Sequence, residues 1–321
     1  MSNTTANQAP LIKSAIFSEF ILEHINDGFL PEGIHRDVSD FGDGTTLYIP
    51  VLGETILRDY VEDTGIEFDA VDSGQVTLTI TDYVSAASYV TDKLKQDAYK
   101  AAALEASIPK EHLRVIKERY ETDLLANKQT VSVPGNINGF AHRWVAASGS
   151  TAGVITLEDF NYAKLSFDKA NVPEEGRVLI ADPIVEMSLN HSMAATVAVN
   201  NNPQFEGIIT TGFAKGRRFL RNIAGFDIWL SNRLPRVTET IDGGPHGSSK
   251  SVTSGVVNQF MCLTDDQHKP YMGAWRQQPQ AEGFRNVTFK RDEYSTTARW
   301  GFGKQRDETL ICVLTSATAY K

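Results

Sequence analysis

Seven histidines, His24, His35, His112, His142, His191, His246 and His268, are the residues most able to ligate a metal or move a proton at neutral pH. They are scattered, and no pair falls at the spacing that places two ligands on one helix face or one knuckle. Asp40-Phe41-Gly42 matches by letters the magnesium-holding tripeptide of phosphoryl-transfer enzymes, but the other elements of that machinery are missing. No glycine-rich loop of the phosphate-cradling kind follows a strand, and Gly-x-Ser-x-Gly does not occur. Carboxylates are plentiful, yet plenty selects no catalytic pair. Cys262 and Cys312 sit in apolar runs that read as buried strands, with no disulfide or zinc spacing, which fits a chain made in a reducing cytoplasm. No catalytic residue, cofactor or metal ligand is nominated, and an enzyme is not expected.

What does stand out is charge. Between residues 40 and 80 the acids Asp43, Glu54, Asp59, Glu62, Asp63, Glu67, Asp69 and Asp72 face a single base, Arg58. Lys215, Arg217, Arg218 and Arg221 make a compact basic cluster, and Arg276, Arg285, Lys290 and Arg291 a looser one. Solvated faces are the ordinary fate of such runs. The alternative is complementarity between copies of the chain, where opposite potentials set register and suppress wrong partners. On that reading Asp43, Glu54, Arg58, Asp59, Glu62, Asp63, Glu67, Asp69, Lys215, Arg217, Arg218 and Arg221 are candidate subunit-interface residues. The formal net charge of -9 argues against a protein that grips nucleic acid with basic surface, though not against a container.

Three kinds of element must position these charges. Residues 11–25 carry a helical apolar pattern, with Ile12, Ile16 and Phe20 on one face. Two strand-like runs, 45–52 and 75–83, flank the acidic stretch, and the second alternates Val76, Leu78 and Ile80 against threonines. The intervening residues 53–74 exceed an ordinary hairpin connection, so the whole reads as an extended two-stranded arm. From Asp92 the pattern turns helical, with a break expected at Ser107-Ile108-Pro109 and a second helix running to Leu125 on a stripe of Leu113, Ile116, Tyr120 and Leu124. Residues 130–153 read as a loop. The second half alternates helices and strands: a helix over 157–170, a buried strand over 177–182, a helix opened by Pro183, and a strand at 226–230. A loop over 242–255 then precedes sheet segments at 287–291 and 310–314. The class is α+β.

This order of elements resembles the major capsid proteins of tailed bacteriophages, the Hong Kong 97-like fold. Gly44-Thr45-Thr46-Leu47-Tyr48-Ile49-Pro50 resembles that family's way into its extended loop. Val76-Thr77-Leu78-Thr79-Ile80, followed by Tyr89-Val90-Thr91-Asp92, resembles the return strand and the start of the spine helix. Val172-Pro173-Glu174-Glu175-Gly176-Arg177-Val178-Leu179-Ile180 resembles the turn into an axial strand. Ser231-Asn232-Arg233-Leu234-Pro235 resembles the end of another. His268-Lys269 and the segment from Arg291 to Gly303 resemble the closing sheet.

The resemblance implies an N-terminal arm and helix over 1–40, an extended loop over 41–82, and a peripheral domain with the spine helix over 83–150. It implies an axial domain over 151–286 and C-terminal strands over 287–321. It implies hexamers and pentamers of an icosahedral shell that encloses double-stranded DNA without reading its sequence. The expected partners are further copies of the chain, a portal protein and, in shells that carry one, a cement or decoration protein, with no membrane. The location implied is the virion, after assembly in the bacterial cytoplasm. Some relatives carry a long scaffolding segment ahead of the loop; here the loop is reached by about residue 45, so a separate scaffolding protein is expected. Others crosslink through a loop lysine, and residues 41–80 contain none. The nearest rival is an encapsulin, a cellular compartment of the same fold. A soluble α+β enzyme is the rival from another class.

Overall fold

The computed structural model describes residues 29–31, 33–40, 44–53, 57–60, 62–63, 65, 68, 73–97, 101–127, 136–195 and 219–318. The expected helix at 11–25 lies outside them. In chain order, β1 (Arg36–Asp37) precedes the ribbon strands β2 (Thr46–Leu52) and β3 (Ser73–Thr79), and β4 (Asp82–Thr91) leads into α1 (Asp92–Asp97) and α2 (Ala101–Ala126). Five short strands follow: β5 (Asn136–Ile137), β6 (Phe140–Ala141), β7 (Arg143–Val145), β8 (Ala147–Ser148) and β9 (Thr151–Ala152). Next come α3 (Leu157–Lys169), β10 (Arg177–Ala181), α4 (Pro183–Ala195), β11 (Phe219–Ile223), β12 (Phe226–Leu230), β13 (Arg236–Ile241) and β14 (Lys250–Cys262). Beyond them lie β15 (Tyr271–Asn286), β16 (Arg291–Lys304) and β17 (Leu310–Thr315).

The larger sheet has the order β11-β12-β10-β14-β17-β7, with β13 also paired to β14. Its central strands β10 and β17 are buried at every position because both faces are covered. Along β10, Leu179 and Ala181 enter one core with Phe160, Phe167, Val185 and Leu189 of α3 and α4. Val178 and Ile180 enter the other with Leu124, Leu125, Leu234 and Tyr271. The pleat repeats this in β17, where Ile311 and Val313 face the first core and Leu310, Cys312 and Leu314 the second. Both cysteines are free and buried in these strands.

The smaller sheet, β1-β15-β16-β4, carries α2 across one face. Ile116 and Tyr120 of α2 pack on Trp275, Ala298, Trp300 and Phe302, with the Tyr120 and Trp275 rings stacked 4.3 Å apart. The alternation of half-buried and exposed residues in β4 follows from one covered face and one open face. Two side chains stitch the sheets together. Gln259 of β14 donates to the Leu125 carbonyl at 2.7 Å, capping the end of α2, and accepts from the Tyr271 hydroxyl of β15 at 2.9 Å.

Five sequence expectations change here. Residues 101–126 are one helix with Pro109 inside it, not two helices; the packing of Ile116 and Tyr120 on the smaller sheet and of Leu124 and Leu125 in the second core of the larger one outweighs the missing N–H, a local cost of about 3 kcal/mol. Leu113 is exposed, and the inward position belongs to His112, whose ring nitrogens meet the Ser88 hydroxyl at 2.7 Å and the Thr296 hydroxyl at 3.3 Å. The stretch read as a loop over 130–153 contains β5 to β9, strands too short to show a period. Finally, β14 begins at Lys250, inside the expected loop, and residues 287–290 are the turn of the long β15–β16 hairpin rather than a strand.

Candidate subunit interface

The arm grows out of the smaller sheet. β2 and β3 pair antiparallel from Thr46↔Thr79 to Leu52↔Ser73, so Leu47 faces Leu78 and Ile49 faces Val76. These four, with Ile80 and Val38, pack on Met272 and Ala274 of β15. The backbones close the joint as well: the Ile80 N–H donates to the Thr45 carbonyl at 2.8 Å, and a Cβ placed on Gly301 would lie 2.7 Å from the Ile80 Cα. The arm's root is therefore part of the fold.

Away from the root, burial disappears. Leu78 is 1% exposed, whereas Tyr48 is 60% exposed, Leu57 97%, Tyr60 72% and Phe68 92%. Covering large apolar side chains left bare in this way would be favourable by roughly 25 cal/mol per Å². A two-stranded ribbon cannot supply that cover itself.

Of the nominated charges, Arg58, Asp59, Glu62 and Asp63 stand exposed on this distal segment among the same apolar residues, Asp63 with a left-handed φ of 67°. Asp43, Glu54, Glu67, Asp69, Lys215, Arg217 and Arg218 lie outside the described residues. Arg221 falls in β11, with its side chain outside the described part. The looser basic cluster is largely engaged within the chain. Arg285 binds Asp92, and Asp292 at 3.0 Å, and Arg291 binds Glu293 at 2.5 Å. Arg285 accordingly holds the Asp92 carboxyl below its ordinary pKa, Lys95 and Arg285 do the same for Asp292, and Arg291 for Glu293. These contacts tie the β15–β16 turn to α1 instead of leaving its cations for another copy.

The turn is a second exposed feature that reasoning from charge overlooked. Phe284, Val287 and Phe289 are half to two-thirds exposed, and the Arg291 guanidinium lies 4.5 Å from the Tyr89 ring centroid and 4.9 Å from that of Phe289. The signal available for both surfaces was the same: bulky apolar residues inside stretches otherwise rich in charge and glycine.

Among the described residues no three His, Cys, Asp or Glu side chains converge as a metal set, and no helix is long and apolar enough to cross a membrane. The sequence matches no protein-family model and no curated protein. Solved structures do match over almost the whole chain. The capsid of cyanophage P-SCSP1u superposes with a TM-score of 0.69 at 14% identity, over 97% of this chain and 94% of that one. The cyanophage Pam1 capsid gives 0.65 at 11% identity, over 99% of each. The SrpI encapsulin of Synechococcus elongatus gives 0.59 at 11% identity, over 100% and 98%. With its arm, its long helix laid on a four-stranded sheet, and its seven-stranded α/β half, the chain has the Hong Kong 97-like fold that tailed-phage major capsid proteins share with encapsulins.

Proposed function

We propose that this chain is a major capsid protein, assembling through many copies of itself into the hexamers and pentamers of an icosahedral shell around double-stranded phage DNA. The observation that carries this reading is the arm: a ribbon rooted in the fold at Leu78 and Ile80, with Leu57, Tyr60 and Phe68 left in solvent. A monomer gains nothing from such an arm. A closed assembly, in which each arm lies on a neighbour, buries those side chains at every copy. The acids beside them restrict which surface of the neighbour is accepted.

A portal protein and a separate scaffolding protein complete the expected set of partners, and the virion is the expected location. An encapsulin-like compartment is the second reading, favoured by the full-length match to the Synechococcus shell. The sequence segments that resemble phage coat proteins weigh against it. Genomic context separates the two: terminase and portal genes on one reading, a cargo enzyme on the other. Sedimentation velocity of the purified chain, alone and co-expressed with its neighbouring genes, tests the shared claim. Rings or shell-sized particles are expected; a monomer at every concentration and in both preparations would overturn it.

A further inference from the structure

The loop 242–249, between β13 and β14, has three glycines of positive φ, Gly243, Gly244 and Gly247, around Pro245. It is nevertheless pressed onto the larger sheet. Gly244 sits so close to Trp144 that an added Cβ would lie 2.6 Å from the indole's Cβ. Beside it, His246 reaches inward, its side chain 8% exposed, to a fully buried carboxylate, Asp159 in the first turn of α3.

Asp159 is held by donors on both oxygens. Oδ1 accepts from the Trp144 indole at 2.9 Å and meets His246 Nε2 at 2.8 Å; Oδ2 accepts from the Thr156 N–H at 2.8 Å and its hydroxyl at 3.1 Å. The same His246 Nε2 lies 3.2 Å from the backbone nitrogen of Ala147, whose N–H points to it. One ring nitrogen cannot serve both. With a hydrogen it donates to Asp159; bare, it accepts from Ala147 with its one lone pair and no longer donates to the carboxylate.

We propose that loop 242–249 is a proton-gated latch, fastened to α3 while His246 Nε2 carries a hydrogen and loosened when that nitrogen is bare and accepts from Ala147. The charged groups acting on His246 are Asp159 and Glu158 of α3 and Lys250 of β14. The hydrogen bond to Asp159 outweighs burial and raises the histidine above its ordinary value, with Asp159 and Glu158 adding attraction and Lys250 opposing. On this proposal the titrating proton leaves Nε2, whose vacated lone pair accepts from the Ala147 N–H, while Nδ1 keeps its hydrogen; with a raised folded-state value the latch is complete below the ordinary imidazole range, near about 6.5, and is lost as pH rises through the raised value. Release would free the loop from above Trp144. This inference stands on the loop's own geometry and does not depend on the shell reading.

The test is hydrogen exchange of the full-length protein, read on peptides covering 243–249 and corrected for the intrinsic pH dependence of exchange. Protection in the wild type is expected to fall several-fold between about pH 6 and about pH 9. In His246→Gln, whose amide donates without titrating, it should stay level over the same window. A level wild type, or a parallel fall in wild type and variant, would overturn the latch. Should the variant not fold, nitrogen NMR of the wild-type ring decides: Nε2 must change from hydrogen-bearing to bare across this window, and an Nε2 that keeps its hydrogen throughout contradicts the proposal.

Discussion

Glu121 of α2 and Arg233, in the turn between β12 and β13, form a nearly buried ion pair, Oε2 to Nη1 at 2.9 Å, across the junction of the two sheets. Arg233 also reaches Glu118 at 3.3 Å, and its guanidinium lies 5.2 Å from the Phe29 ring centroid. The pair binds the long helix to the turn that follows β12. Arg233→Met takes from Glu121 the cation beside it in a nearly buried site, so it should destabilise the chain by about 3 kcal/mol. Glu121→Gln/Arg233→Met should recover part of that loss. Urea unfolding measures both, and a single variant within about 0.5 kcal/mol of wild type would show that the junction is held elsewhere.

The arm's root depends on a close backbone approach. At Gly301 a methyl group would meet the Ile80 Cα and the Thr79 carbonyl, each 2.7 Å away, and neither can move without shifting β3. Gly301→Ala should therefore cost about 1–3 kcal/mol and loosen the ribbon. Faster proteolysis within residues 44–80 in the variant than in wild type is the expected readout; unchanged cleavage would mean that the root tolerates the insertion.

Beyond the root, the bare apolar residues separate folding from assembly. Leu57→Ser/Phe68→Ser removes side chains that touch little in the single chain, so its unfolding midpoint should stay within about 0.5 kcal/mol of wild type. Assembly yield should fall sharply. Asp59→Lys/Glu62→Lys should also impair assembly, and raised salt should lessen the difference from wild type because exposed charges are screened beyond about 8–10 Å at 0.1–0.15 M. Normal yield from the serine variant would assign these residues no role.

Burial lowers the pKa of His35, His112 and His142. A neutral, depressed histidine gives its full contribution above the unfolded value of about 6.5 and loses it as pH falls through the folded value, because the unfolded chain takes up protons first. His246 runs the other way. His112→Gln can keep both hydroxyl contacts without titrating, so it should lose less stability than wild type between about pH 6.5 and about pH 5. Urea midpoints across that range give the comparison; equal losses would remove His112 from the acid response.

Much of the fold was legible because particular residues speak in period. Val76, Leu78 and Ile80 alternate and form the arm's root; Leu157 to Lys169 and Arg177 to Ala181 carry helix and buried-strand patterns that the structure keeps. Other features were hidden for physical reasons. Pro109 reads as a helix start, and only tertiary packing carries the helix through it. The β15–β16 hairpin holds Pro279, four glycines and many charges, since the distal half of β15 is exposed on both faces and no apolar alternation is required. Charge located the arm, but the residues bare enough to bind, Leu57, Tyr60 and Phe68, are apolar and drew no notice beside so many acids.

The most direct test of the central claim is electron microscopy of the full-length chain produced with and without its neighbouring genes. Closed icosahedral shells, or hexamer and pentamer rings, with each arm lying on an adjacent copy, are the predicted result. Separate monomers in both preparations, with the arm's apolar residues still in solvent, would contradict it.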